Sequence, residues 1–276
     1  MLITRIITAV VLLVILLAVL FSGSFAAFAV VVLLFLVAAV AEGFQLFKSS
    51  KQQSIVVALF WGAAFGYAFL LNDNSAVKFW FGLSALVWLL RFVPSLATGL
   101  PPAEGMRNTI LATLYAISIV ACFAAIVVFF KHSPVYLLSV MALVWIADIG
   151  AYFSGKAFGK RKLAPSISPG KSWEGAIGGG IAVLVLSSLV ILFGGPLLAD
   201  TFVVRLQASW GWAGAMLVLA VIVAASVVGD LFESQLKRRA GVKDSSNLLP
   251  GHGGVLDRID ALVPVLPLAA LIHSAL

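Results

Sequence analysis

Nine apolar runs, each close to the length of a membrane crossing, recur along this chain and leave little freedom in what it can fold into. They fall at 4–22, 25–46, 54–72, 76–95, 108–130, 135–154, 173–196, 208–232 and 260–275. A crossing needs about 20 residues of helix at about 1.5 Å each. Open strands would leave backbone donors and acceptors unpaired in lipid, so helix is expected for every run. The fold class that follows is all-α, a polytopic integral membrane protein with about nine transmembrane helices. The last run carries Pro264 and Pro267 and is expected to kink. The first has the outline of a signal peptide, with Arg5 before it and Ser24-Phe25-Ala26-Ala27 after. Its length, and the spans that follow at once, favour a retained helix.

Charge is scarce and unevenly placed. Only 11% of the 276 residues are charged, against about 25% in a soluble domain. The net charge is +7, which in a membrane protein marks cytoplasmic loops facing anionic headgroups, so no nucleic-acid partner is expected. With nine spans, the N-terminus and the even-numbered loops share a side. That side holds fifteen of the eighteen basic residues, and only Lys78, Lys131 and Arg205 lie opposite. The bias predicts a cytoplasmic N-terminus, both long basic loops in the cytoplasm and the C-terminus outside. The lone cysteine, Cys122, excludes a disulfide within the chain. Pro94–Asn108 reads as a linker between four N-terminal helices (1–100) and a C-terminal region (101–276) whose cytoplasmic loops cover 155–172 and 233–259.

Two polar clusters interrupt this background. Asp148 sits deep in the sixth run, with Tyr152 one turn on. A carboxylate in a span usually faces a water-filled cavity or a partner; the plainer reading is that Asp148 reaches the headgroup level. After it, Gly155–Lys171 is rich in Gly, Ser and Lys, which suits phosphate oxygens and equally suits a solvated loop. Gly170-Lys171-Ser172 is not the end of a P-loop, because Pro165 stands where the first glycine is required.

The second cluster, Ser234–Asp260, is the larger. Asp230, Glu233, Ser234 and Lys237 share a helical face. Asp257 and Asp260 are i,i+3 neighbours at the predicted start of the ninth helix, a place that also suits acidic residues through the helix dipole. Between them, Gly251-His252-Gly253-Gly254 permits tight backbone geometry. Carboxylates from two helix ends among lysines and arginines suit a hard cation such as Mg²⁺ with substrate phosphates. Phosphoryl or nucleotidyl transfer at the membrane surface follows, the alternative being a salt-bridged loop. His252 reads as a phosphate contact or a structural residue, since a phosphate nucleophile is already ionised near neutrality.

The polar stretch resembles the signature of the phosphatidate cytidylyltransferases, or CDP-diacylglycerol synthases. Ser234, Lys237, Arg238, Lys243, Asp244, Pro250 or Gly251, His252, Gly253, Gly254, Asp257, Arg258 and Asp260 occupy its fixed places. Ser168–Gly175 is similar to a second element of that family, with Ser172 where Thr is usual and Gly170 where Lys is common. The resemblance implies a homodimeric enzyme of a bacterial inner membrane, its site in a funnel open to the cytoplasm and to lipid. It implies that CTP and phosphatidate are converted to CDP-diacylglycerol and pyrophosphate, with Mg²⁺ and K⁺ as the cations. Asp230, Asp257 and Asp260 are the expected metal ligands. Lys171, Lys237, Arg238, Lys243 and Arg258 are expected on the phosphates, with Asp230, Asp257, Lys237 and Arg258 nearest the chemistry. Ser168, Ser172, Glu174, Ser234, Asp244, His252, Gly253 and Asp148 complete the substrate surface. A CTP-dependent lipid kinase and a membrane transporter are the alternative activities.

Overall fold

The computed structural model describes residues 2–71 and 76–276. The Arg5 side chain lies outside what is described. Helices dominate. The first two are α1 (Leu2–Phe21) and α2 (Phe25–Leu46); α3 (Lys51–Phe65) continues as π-helix over Gly66–Leu71. Next, α4 (Val77–Val87) passes through a π-helical stretch into α5 (Val93–Thr98). Then come α6 (Met106–His132), α7 (Pro134–Phe158), α8 (Trp173–Phe193), α9 (Phe202–Ala240), the single turn α10 (Leu256–Ile259) and α11 (Leu262–His273). Among the described residues seven helices, from Phe25–Leu46 to Phe202–Ala240, are long and apolar enough to cross a membrane, and they match the second to eighth runs. The first and ninth runs form shorter apolar helices, Ile6–Phe21 and Leu262–His273. The architecture is that of an all-α polytopic membrane protein.

Serines set several helix starts. Ser24, Ser50, Ser133 and Ser172 each accept a backbone N–H from the first turn of α2, α3, α7 and α8, relieving donors that lipid cannot satisfy. The most buried of the seven long helices is α6. Its Tyr115 meets Trp88, Phe92 and Phe232 in one aromatic cluster, with ring centroids 5.2–6.4 Å from its own. Between helices in lipid there is little hydrophobic driving force, so such shape-matched contacts and close approach hold the bundle. The tightest seam joins α7 to α8. A Cβ at Gly179 would lie 2.5 Å from the Ala147 carbonyl oxygen, so only glycine lets the two backbones meet.

Two expectations change. The loop expected over 233–259 begins only at Gly241, because α9 runs on through Ala240. Phe232, Leu236 and Ala240 are all buried and continue an apolar stripe one turn at a time, which the surrounding charge obscures. Counted from its break at Gly211 (φ 67°), the rest of α9 is roughly 43 Å long, so its polar end projects beyond the apolar layer. The loop expected over 155–172 is part helix and part antiparallel hairpin, β1 (Lys162–Ala164) with β2 (Ser168–Ser172).

Long-range contacts sort the molecule into two ends. At one, the Lys48 ammonium donates to the Ala240 carbonyl (2.5 Å), Arg239 to the Pro101 carbonyl (3.1 Å) and the Thr8 hydroxyl to the Pro250 carbonyl (2.9 Å). At the other, Lys78 donates to the Ser274 carbonyl (3.5 Å), Lys131 lies over the Phe25 ring (5.8 Å) and Arg205 pairs with Asp200 (2.9 Å). All three basic residues set apart by loop parity are thus found at the second end.

Candidate active site

At the first end, α7, α8, α9, the hairpin and the segment after α9 enclose a cavity of about 710 Å³. Asp148 and Tyr152 reach it from successive turns of α7, so the deep carboxylate faces a cavity. The hairpin contributes Ser168, Lys171 and Ser172; α9 contributes Asp230 and Lys237. Asp244, Asp257, Arg258 and Asp260 close the wall from the segment that follows. Residues separated by more than 100 positions are brought together, as the two polar clusters implied. Asp230 and Asp260 are drawn to the same wall because Gly229 packs against the Asp260 backbone: a Cβ there would lie 2.5 Å from the Asp260 carbonyl oxygen.

Three of the cavity carboxylates are already engaged. Asp230 pairs with Lys171 (2.6 Å) and accepts the Ser234 hydroxyl (3.3 Å). Lys237 lies between two acids, pairing with the fully buried Glu233 one turn back and with Asp257 (2.7 Å). The other oxygen of Asp257 accepts the Ser245 amide, the Ser245 hydroxyl and the Gly254 amide, all at 2.8 Å. Burial opposes the charge on Asp257, but the Lys237 ammonium, the Gly254 amide and the Ser245 hydroxyl outweigh it and hold the carboxyl below the usual range. Asp260 accepts the Ala261 amide at 2.8 Å.

The remaining expected residues do not line the cavity, and several brace what does. Glu174, in the first turn of α8, accepts the amides of Lys160 (3.1 Å) and Arg161 (3.2 Å), fixing the base of the hairpin. Arg238 donates to the Ile167 carbonyl at the hairpin's far end (3.2 Å). Ser234 acts through Asp230. Gly253, at φ 81°, passes so close to Asp257 that a Cβ would sit 2.6 Å from its carboxylate. The His252 carbonyl accepts from Arg258 (3.1 Å), while its ring Nδ1 has no partner among the described residues. Lys243 is exposed on the loop after α9.

One participant was not anticipated from sequence. Glu42, buried in α2, accepts hydrogen bonds from Ser245, Ser246, Val255 and Leu256. The available signal was its position as the sole charged residue in a 22-residue apolar helix.

The cavity wall carries five carboxylates (Asp148, Asp230, Asp244, Asp257, Asp260) against four cations (Lys156, Lys171, Lys237, Arg258). Counted as formal charges that balance is net negative, which favours a polyphosphate that arrives with cations. Among the described residues no three His, Cys, Asp or Glu side chains are gathered as a cage for a metal ion. All-oxygen donors without a cage suit Mg²⁺, which completes its shell with water and substrate phosphates. The oxygen donors on the wall are of the kind that Mg²⁺ takes.

A family model described as the cytidylyltransferase family matches residues 3–276. The chain belongs to the cytidylyltransferase family. Among curated proteins, this family member is 49% identical over 171 residues to the phosphatidate cytidylyltransferase of Haemophilus influenzae, covering 58% of this chain and 56% of that protein. It is 52% identical over 140 residues to the enzyme of that name from Pseudomonas aeruginosa, covering 50% of this chain and 48% of that one. Against the Mycobacterium leprae protein of that name, identity is 39% over 167 residues, or 59% and 49% of the two chains. The matched part spans about half the length of each relative.

Proposed function

We propose that this cytidylyltransferase-family member is a phosphatidate cytidylyltransferase. A phosphate oxygen of phosphatidate attacks the α-phosphorus of CTP. The bond to the β-phosphate oxygen breaks, and CDP-diacylglycerol and pyrophosphate leave. The observation that carries this reading is the cavity at one end of the bundle that gathers carboxylates and cations from both polar elements of the sequence. The relatives that share up to 52% identity bear the same name.

Lys171 and Arg258 line the cavity and would take phosphate oxygens and offset charge that develops on the leaving pyrophosphate. Lys237 is held between Glu233 and Asp257 and keeps the Asp257 carboxylate ionised and oriented. Asp230, Asp257 and Asp260 would hold Mg²⁺, with K⁺ as a second cation. When bound, Mg²⁺ supplies charge neutralisation and orientation of the triphosphate. The basic first end of the molecule faces the cytoplasm of a bacterium, where CTP is found, in the inner membrane, and the working enzyme is a homodimer.

The test is pyrophosphate release by the purified protein in mixed micelles. Release should require CTP and phosphatidate together and should disappear in Asp257→Asn. CDP as the product would indicate γ-phosphoryl transfer to a lipid and overturn the reading, and full activity in Asp257→Asn would remove the metal assignment.

A further inference from the structure

Glu42 is remote in sequence from every residue of the cavity wall, yet it is built into the support beneath it. Its side chain is 3% exposed, and no cation lies within ion-pair distance of it among the described residues. A buried carboxylate without a cation is costly unless donors surround it. Here four do. One oxygen accepts the Ser246 hydroxyl (2.6 Å) and the Val255 amide (3.1 Å). The other accepts the Leu256 amide (2.7 Å) and lies 3.1 Å from the Ser245 hydroxyl.

Those donors surround Asp257. Val255 and Leu256 open the single turn α10, which has no side-chain cap of its own, so Glu42 caps it from another helix. The Ser245 hydroxyl also lies 2.8 Å from Asp257, and its one proton serves either carboxylate. Gly254 sits where the groups converge: a Cβ there would meet the Ser245 hydroxyl oxygen at 2.2 Å and Glu42 at 2.5 Å.

We propose that Glu42 is a positioning residue for the nucleotidyl-transfer site, holding the 245–256 segment so that Asp257 and Arg258 face the cavity. This rests on the reading of Asp257 as a site carboxylate. It also gives the N-terminal helices a part in the chemistry.

The test uses the full chain in detergent with Glu42→Gln. Glutamine keeps the shape but turns one of the two oxygens into a donor, so at least one backbone N–H loses its acceptor. Hydrogen exchange followed by mass spectrometry should show faster exchange in peptides covering 245–257, with α6 unchanged. In the pyrophosphate assay, kcat should fall on the order of tenfold to a hundredfold, as a small misplacement costs, with the KM for CTP changed less. Glu42→Asp, which restores the charge, should recover part of the loss. Ser246→Ala, which removes one donor, should show a smaller rise in exchange over the same peptides and serves if Glu42→Gln fails to fold. Exchange over 245–257 that matches the unmodified protein in both variants would overturn the proposal. So would exchange that rises equally in α2, α6 and the loop, which marks a general fold residue. An inactive unmodified protein would count against the proposed reaction, while the exchange result would still decide the role of Glu42.

Discussion

Replacing Lys237 with methionine removes a partly buried charge from the cavity wall while keeping an unbranched side chain of similar length. Its ammonium joins Glu233 on α9 to Asp257 on α10, with side-chain exposures of 14%, 0% and 3% for Lys237, Glu233 and Asp257. Asp257 would retain its bonds from Ser245 and Gly254. Glu233 would keep no cation within ion-pair distance among the described residues, and one of its oxygens already has no hydrogen-bond partner. Removing one member of a buried ion pair costs about 3–5 kcal/mol, or roughly two to three and a half decades in the folding equilibrium. The seven tryptophans give a fluorescence signal for SDS titration in mixed micelles. Lys237→Met should unfold at markedly lower SDS, and adding Glu233→Gln should recover most of the difference, because the double variant buries no unpaired charge. A cost below about 1 kcal/mol would mean that the pair behaves as an exposed one. That result, or an equal penalty for Glu233→Gln in both backgrounds, would refute the reasoning.

Acidification should weaken the fold through Asp257. Its folded pKa is depressed, so its stabilising contribution is complete above the ordinary value of about 3.9 and is lost as pH falls through the lower folded value. Unfolding midpoints of the protein and of Asp257→Asn, followed from about pH 6 to about pH 3, should converge; parallel curves would refute the assignment. Gly179→Val forces a side chain into the Ala147 carbonyl and should cost about 1–3 kcal/mol or block folding, read from SDS titration and the monodisperse yield. Asp200→Asn, at the opposite end, breaks exposed pairs with His132 and Arg205 and should change stability by no more than about 1 kcal/mol. Pyrophosphate release in that variant should be unaltered.

The membrane class and the second to eighth spans were legible because hydrophobicity is summed over some 20 residues and needs no partner. The two polar clusters were legible as a joint site because a carboxylate such as Asp148 has few reasons to lie in a span. What stayed hidden depends on contacts between distant segments. The end of α9 was hidden because its apolar stripe at Phe232, Leu236 and Ala240 is interleaved with Glu233, Lys237, Arg238 and Arg239, so local polarity resembles that of a loop. The hairpin was hidden because Ser168-Pro169-Gly170-Lys171-Ser172 has no alternating pattern, and its ends are held by Glu174 and Arg238. Glu42 was visible as an oddity in α2, but its partners lie more than 200 positions away.

The cations of the cavity, which sequence treats alike, differ in what each would leave behind. Lys171 sits on a hairpin with 26% of its side chain exposed, and its partner Asp230 is 30% exposed. Withdrawing it to a phosphate leaves a carboxylate that water or a metal ion can serve, and a pair so exposed contributes at most about 1 kcal/mol. Withdrawing Lys237 strands Glu233 in the interior. Lys171 is therefore the ammonium free to follow a substrate, and Lys237 the one that must stay. Lys171→Met should raise the KM for CTP several-fold while SDS unfolding barely changes, whereas Lys237→Met should show its loss first in stability. If Lys171→Met instead proved as destabilising as Lys237→Met, with an unaltered KM, that division between a substrate-following and a fixed cation would be wrong.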